Sequence, residues 1–147
     1  MISMALSADG GTPRRGLRDW VLDGAATCGH VSTRKEHFQN LKMYETHHRP
    51  TIGGLGGDRV EVQGKGSVIL KLATGRCVTL HDVSYAPGAV ANLFAVRSAL
   101  SKLGKGAEHR ETTRSSKITD ANGKVVLTSS LRQGLLYVDL ASDQDFC

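Results

Sequence analysis

One carboxylate stands out by its setting. Trp20, Val21 and Leu22 form a short apolar run that ends on Asp23, and small residues follow at once: Gly24, Ala25, Ala26 and Thr27. A buried strand that delivers one acid into a turn of small residues leaves room for another group to pack against it. The plainer role of an Asp-Gly pair is to cap a turn. What favours chemistry is the context further along the chain.

Other constellations carry less. Cys28, His30, His37, His47 and His48 can be drawn as a zinc set, but Cys-x-His is not a finger spacing, and surface or turn histidines are expected. Gly64-Lys65-Gly66-Ser67 lacks the GxxxxGK[ST] pattern of a phosphate loop. No G-x-S-x-G elbow occurs, and Cys28 has no sign of a paired base. Arg110, Arg114 and Lys117 read as a solvated basic loop. No metal and no organic cofactor is expected.

The elements that must position Asp23 can be read from composition and pattern. Glycine is in surplus, 17 of 147 residues or about 12%, against an average of about 7%. With three prolines and no Gly-X-Y period, collagen and a Pro/Gly-rich disordered tract are both excluded. Short strands joined by tight turns remain. The net charge of +5, from 19 basic and 14 acidic residues, permits weak, non-specific nucleic-acid contact at most. Three cysteines (Cys28, Cys77, Cys147) do not make a secreted disulfide framework and point to a reducing, intracellular setting. No apolar run approaches the ~18 residues of a membrane span, so no membrane partner is expected.

Along the chain, residues 1–17 read as a flexible arm, 18–140 as one domain and 141–147 as a tail. Residues 31–49 read as a loop with a helical turn. The glycine-rich Thr51 to Gly57 signals a hairpin. Val60 and Val62, then Val68 to Leu72, make strands around an expected turn at Gly64-Lys65-Gly66, with Thr74-Gly75-Arg76 as the next turn. Val78–Leu80 and Val83–Tyr85 follow as strand, and Pro87-Gly88 as turn. Leu93, Val96, Leu100 and Leu103 predict a helix over Asn92 to Leu103, stopped by Gly104. Lys124–Thr128 and Leu135–Leu140 are strand candidates, with Asn122-Gly123 as a hairpin turn. The result is an all-β domain of six to eight strands with one short C-terminal helix.

Several of these segments together resemble the retropepsin-type aspartic proteases, and within them the protease segment of copia-type LTR-retrotransposon polyproteins. The pattern there is W-[IV]-[LIV]-D-[ST]-G-A-[ST] with a His soon after. This chain has Trp20-Val21-Leu22-Asp23-Gly24-Ala25-Ala26-Thr27, then His30. Ile52-Gly53-Gly54-Leu55-Gly56-Gly57 is similar to a flap hairpin. The most specific stretch is Leu80-His81-Asp82-Val83-Ser84-Tyr85-Ala86-Pro87-Gly88 with Ala91-Asn92-Leu93-Phe94-Ala95-Val96, which resembles L-x-D-V-x-Y-x-P-x-x-x-x-N-L-[LF]-[SA]-V. Gly123 to Leu127 and Gly134 to Tyr137 match the segment leading toward the pre-integrase region. The resemblance spans roughly 19–140.

The resemblance implies a retropepsin-like closed β barrel acting as a homodimer, with Asp23 of each copy at the two-fold axis. Asp23 would be catalytic. Gly24, Ala25, Ala26, Ile52, Gly53, Gly54, Leu55, Gly56 and Gly57 would meet an extended peptide, the chain's own polyprotein. The setting implied is intracellular, a cytoplasmic virus-like particle. The chain departs from the pattern at Gly24, where a Ser or Thr hydroxyl is expected, and at Ala25, where Gly is expected. Sliding the motif by one residue is an alternative alignment, suggested by the extra Gly29. The rival reading from these departures is a decayed module that keeps the fold for dimerisation or scaffolding. A peptide- or RNA-binding domain using the positive charge is a third.

Overall fold

Strand β1 (Trp20–Asp23) is the apolar run that ends on the acid. In the computed structural model, the described residues are 19–24, 29–53, 59–142 and 144. After β1 come β2 (Val31–Ser32), a 3₁₀ turn (Lys35–His37), β3 (Lys42–Met43) and a second 3₁₀ turn (Thr46–His48). Strands β4 (Thr51–Ile52) and β5 (Val60–Glu61) pair antiparallel as a separate hairpin. The long pair β6 (Gly64–Lys71) and β7 (Cys77–Tyr85) follows, then β8 (Asn92–Ala95) and helix α1 (Val96–Leu103). Four strands close the order: β9 (Glu108–Glu111), β10 (Ser115–Thr119), β11 (Val125–Arg132) and β12 (Leu135–Val138).

Ten of these strands form one mixed sheet, in the order β3-β6-β7-β2-β8-β1-β12-β11-β10-β9. Among the described residues the fold is mainly β with one short α-helix. An isolated bridge between Leu72 and Leu140 ties the end of β6 to the segment after β12, although those strands are not neighbours in the sheet. Strand β1 sits centrally, parallel to β8 on one side and antiparallel to β12 on the other. It is buried on both faces. Trp20 and Leu22 enter a core with Leu70, Leu80, Phe94 and Ile118, whereas Val21 enters a second core with Val31, Leu93 and Tyr137. Side chains alternate along a strand, so a central strand must be apolar on both sides.

Five expectations need correction. The described residues form twelve strands instead of six to eight. The helix begins at Val96 instead of Asn92, and it is not C-terminal, because β9 to β12 follow it. Asn92–Ala95 is a fully buried strand, and its apolar run from Leu93, continuous with Val96, imitates helical spacing. Gly64-Lys65-Gly66 is not a turn but the start of β6. A Cβ at Gly64 would lie 2.7 Å from the Lys42 carbonyl oxygen, and one at Gly66 would lie 2.6 Å from that of Asn40. The glycines there permit close backbone approach instead of a reversal. Arg110 and Lys117 belong to the paired strands β9 and β10, not to a loop. Cys77 is disulfide-bonded, which differs from the reduced thiols expected of a sparse cysteine set. No described helix is long and apolar enough to cross a membrane.

Candidate functional site

Asp23 is the last residue of β1 and is half-buried. Its register partner is Ala95, the last residue of β8. Alternation along β1 sends Asp23 to the same face of the sheet as Val21, opposite to Trp20 and Leu22. Val21 belongs to the second core, and the residues packed against that core include Ile52 and Val60 of the β4–β5 hairpin. The acid and the foot of the hairpin therefore share one face.

Two buried polar side chains hold this end of the sheet. The Asn92 carboxamide oxygen accepts the Thr33 main-chain N–H at 2.8 Å and the Thr33 hydroxyl at 2.9 Å. Its amide donates to the Asp19 carbonyl at 2.9 Å. One side chain thus joins the residue before β1 to the residue after β2, the two ends of the segment that contains Asp23. His30 is the second clamp. The ladder between β2 and β8 has a single register pair, Val31 with Leu93. Beyond it, the Ala95 N–H donates to His30 Nδ1 at 2.9 Å, so the ring replaces a strand carbonyl. A neutral ring accepting at Nδ1 carries its proton on Nε2. The ring is packed against Phe94, with centroids 4.9 Å apart, and burial lowers its pKa from 6.5 to about 4.

The hairpin is anchored by its own contacts. Arg59 donates to the Thr51 hydroxyl at 2.7 Å and to the Thr51 carbonyl at 2.8 Å, across the two strands. At its base Arg49 meets Glu61 at 3.1 Å, and the Val62 N–H donates to the Pro50 carbonyl at 2.8 Å. Val60 also lies near Gly88, where an added Cβ would meet its Cγ1 at 3.5 Å.

A broad depression of about 1200 Å³ opens on the other side of the sheet, lined by His30, Leu80, Phe94, Arg97, Lys102 and Leu127 among others. Asp23 is not among its lining residues. Asp82 is, and its φ of 55° marks a bulge in β7, where the β6–β7 register shifts between Gly66 and Val68. It is an exposed residue at a strand irregularity, in keeping with a structural role.

Of the residues singled out by sequence, Asp23, Gly24, Ile52 and Gly53 are described, whereas Ala25, Ala26, Gly54, Leu55, Gly56 and Gly57 lie outside the described residues. The histidines drawn as a zinc set do not gather as one group. His30 is committed to Ala95, and His37 Nδ1 lies 2.7 Å from the Ser32 hydroxyl. His47 and His48 instead meet Glu45. Sequence reasoning noted His30 and Asn92 only as parts of a pattern. Their positioning role was missed, because a side chain that replaces a ladder bond leaves no periodic signal.

A family model described as "Pol polyprotein, beta-barrel domain" matches residues 20–104, more than half of the chain. No curated protein and no solved structure matches. The matched span holds Asp23, the hairpin, Asn92 and His30. It ends before β9 to β12, although β12 is the antiparallel neighbour of β1.

Proposed function

The chain belongs to the Pol polyprotein beta-barrel domain family, and on that premise we propose that it is the aspartic endopeptidase segment of a copia-type retrotransposon polyprotein, cutting its own precursor. The single observation that carries this reading is the shared face of Asp23 and the β4–β5 hairpin. A catalytic acid and a covering hairpin must face the same substrate. With this reading go a sheet closed as a retropepsin-like barrel, a homodimer, and residence in a cytoplasmic particle.

In the retropepsin pattern each chain supplies one such acid, so the dyad needs a second copy, with the two Asp23 side chains meeting at a two-fold axis. Two carboxylates about 3 Å apart cannot both ionise and share one proton. The ionised member takes a proton from a bridging water as that water attacks the scissile carbonyl carbon. The protonated member donates to the developing oxyanion. Collapse breaks the C–N bond as a proton reaches the leaving nitrogen. Residues Ile52 to Gly57 would lie over the extended peptide and exclude water, a role for which glycine backbones are suited. A cleft completed only by a partner also accounts for Asp23 standing outside the large depression of the single chain.

The decayed-module reading is favoured by one observation: Gly24 offers no hydroxyl beside Asp23. The test is cleavage of the chain fused to its natural flanking precursor, beside Asp23→Ala and Asp23→Asn. Processing present in the parent and lost in both variants supports the enzyme. Identical patterns in all three, cut or uncut, support the scaffold. Sedimentation should show a dimer, and a strict monomer at high concentration would contradict the two-carboxylate mechanism.

A further inference from the structure

We propose that Glu45, His47 and His48 form a binding site for a zinc-class divalent metal ion, placed on the turn that feeds the hairpin. The three residues surround the second 3₁₀ turn, whose geometry is fixed in part by the His48 N–H donating to the Glu45 carbonyl at 2.9 Å. That fold of the backbone brings three donor atoms from three side chains together. Glu45 Oε2 lies 3.3 Å from His47 Nε2 and 3.7 Å from His48 Nδ1, and all three ligand atoms fall within 4.8 Å of one another.

Those separations are the ones a tetrahedral ion requires. Zinc–nitrogen and zinc–oxygen bonds of about 2.0–2.2 Å put neighbouring donors about 3.3–3.6 Å apart. The Glu45 oxygen is already close to that distance from both rings. The third edge closes by a small rotation of either imidazole; the two rings already lie side by side with centroids 4.1 Å apart, and both side chains are about 70% exposed. Water would complete the coordination. Two imidazole nitrogens and one carboxylate suit zinc-class ions, and suit the oxygen-seeking Mg²⁺ and Ca²⁺ poorly. Ion pairing alone gives little reason for the arrangement, since exposed pairs of this kind contribute at most about 1 kcal/mol.

The site has a structural consequence. The turn runs through Arg49 and Pro50 directly into β4, and Arg49 and Pro50 both bond across to the β5 side of the hairpin. An ion held by Glu45, His47 and His48 would stiffen the foot of that hairpin. This inference does not depend on Asp23 being catalytic.

The test uses the whole chain, freed of any affinity tag and stripped with chelator, titrated with zinc by calorimetry. One ion per chain is expected at this site, with no comparable heat from Mg²⁺. Loss of even an outer-shell partner weakens metal sites by about 10–100-fold, so Glu45→Gln should weaken zinc at least about tenfold. The double variant H47A/H48A should abolish this binding. Both variants should keep the parent's circular dichroism and metal-free Tm, because all three side chains are exposed. Zinc should also shift amide resonances around residues 45–50. Absence of saturable binding in the parent would overturn the proposal. So would binding that survives in H47A/H48A, which would place the ion elsewhere.

Discussion

Ala95, the register partner of Asp23, donates its main-chain N–H to the ring of His30 at 2.9 Å. The imidazole thus finishes a sheet ladder beside the candidate acid, and it can do so only while Nδ1 is unprotonated. Burial holds its pKa at about 4, against 6.5 in the unfolded chain. Between those values the unfolded state binds the extra proton, so stability rises with pH across the window and is lost as pH falls from 6.5 toward 4. The full effect is roughly 3 kcal/mol. Urea denaturation at pH 7 and at pH 4.5 should show this loss in the parent. His30→Ala should be less stable at pH 7 by about 2–4 kcal/mol, through the unsatisfied Ala95 N–H and the space left beside Phe94. Its stability should then change far less between the two pH values. An unchanged pH slope in the variant would refute the assignment.

Asn92 supplies a second, independent prediction. Asn92→Ala removes three hydrogen bonds from a buried site and leaves the Thr33 N–H and the Asp19 carbonyl without this partner. The expected cost is about 2–4 kcal/mol by chemical denaturation. Asn92→Asp keeps an acceptor for Thr33 but sets a carboxylate oxygen against the Asp19 carbonyl. Its deficit should therefore grow as pH rises and the new carboxyl ionises. Parent-like stability in both variants would show that the clamp does not hold the two ends of the Asp23 segment.

Where the sequence was legible, and where it was not, follows from what each segment buries. The run Trp20–Asp23 and the turn at Gly123, with its φ of 81°, were readable because apolar strands and left-handed turn residues leave local signatures. Asn92–Ala95 was misread because a strand buried on both faces shows no alternation. Strands β9 and β10 escaped notice for the opposite reason. Their sequences, EHRE and SSKIT, bury only Ser116 and Ile118, and the charges of β9, the edge strand, are a defence against unwanted pairing and not the mark of a loop. The candidate acid was legible, but the hairpin's seat on the Val21 face needed long-range packing that no local pattern encodes.

The glycines give a contrast that can be measured. Gly66→Ala places a methyl group where the Asn40 carbonyl oxygen would be only 2.6 Å away, and Gly64→Ala does the same at 2.7 Å from that of Lys42. Both neighbours are backbone, so β6 must move away from β3 and from Asn40 just before it. Each substitution should cost about 1–3 kcal/mol, as overpacking does. Gly75→Ala meets no atom within 4 Å among the described residues but sits at φ 91°, so its cost, about 1–3 kcal/mol, comes from backbone strain alone. Thermal denaturation should show Gly64→Ala and Gly66→Ala losing at least as much stability as Gly75→Ala. Equal and small losses would mean that the glycines of β6 do not mediate close approach.

Gly24 is the position at which the two functional readings part. A Cβ added there meets nothing within 4 Å among the described residues, so Gly24→Ser should fold with its stability little changed. If the chain is a dimeric aspartic endopeptidase, the new hydroxyl lies beside Asp23 in both copies at once. Each added hydrogen bond contributes about 1 kcal/mol. Two of them, fully expressed in the transition state, correspond to roughly 30-fold in rate. Precursor processing by Gly24→Ser should therefore be faster than by the parent, with a tighter dimer in sedimentation. The gain must vanish in the double variant Gly24→Ser with Asp23→Asn. If neither the parent nor Gly24→Ser processes the precursor, the decayed-module reading prevails.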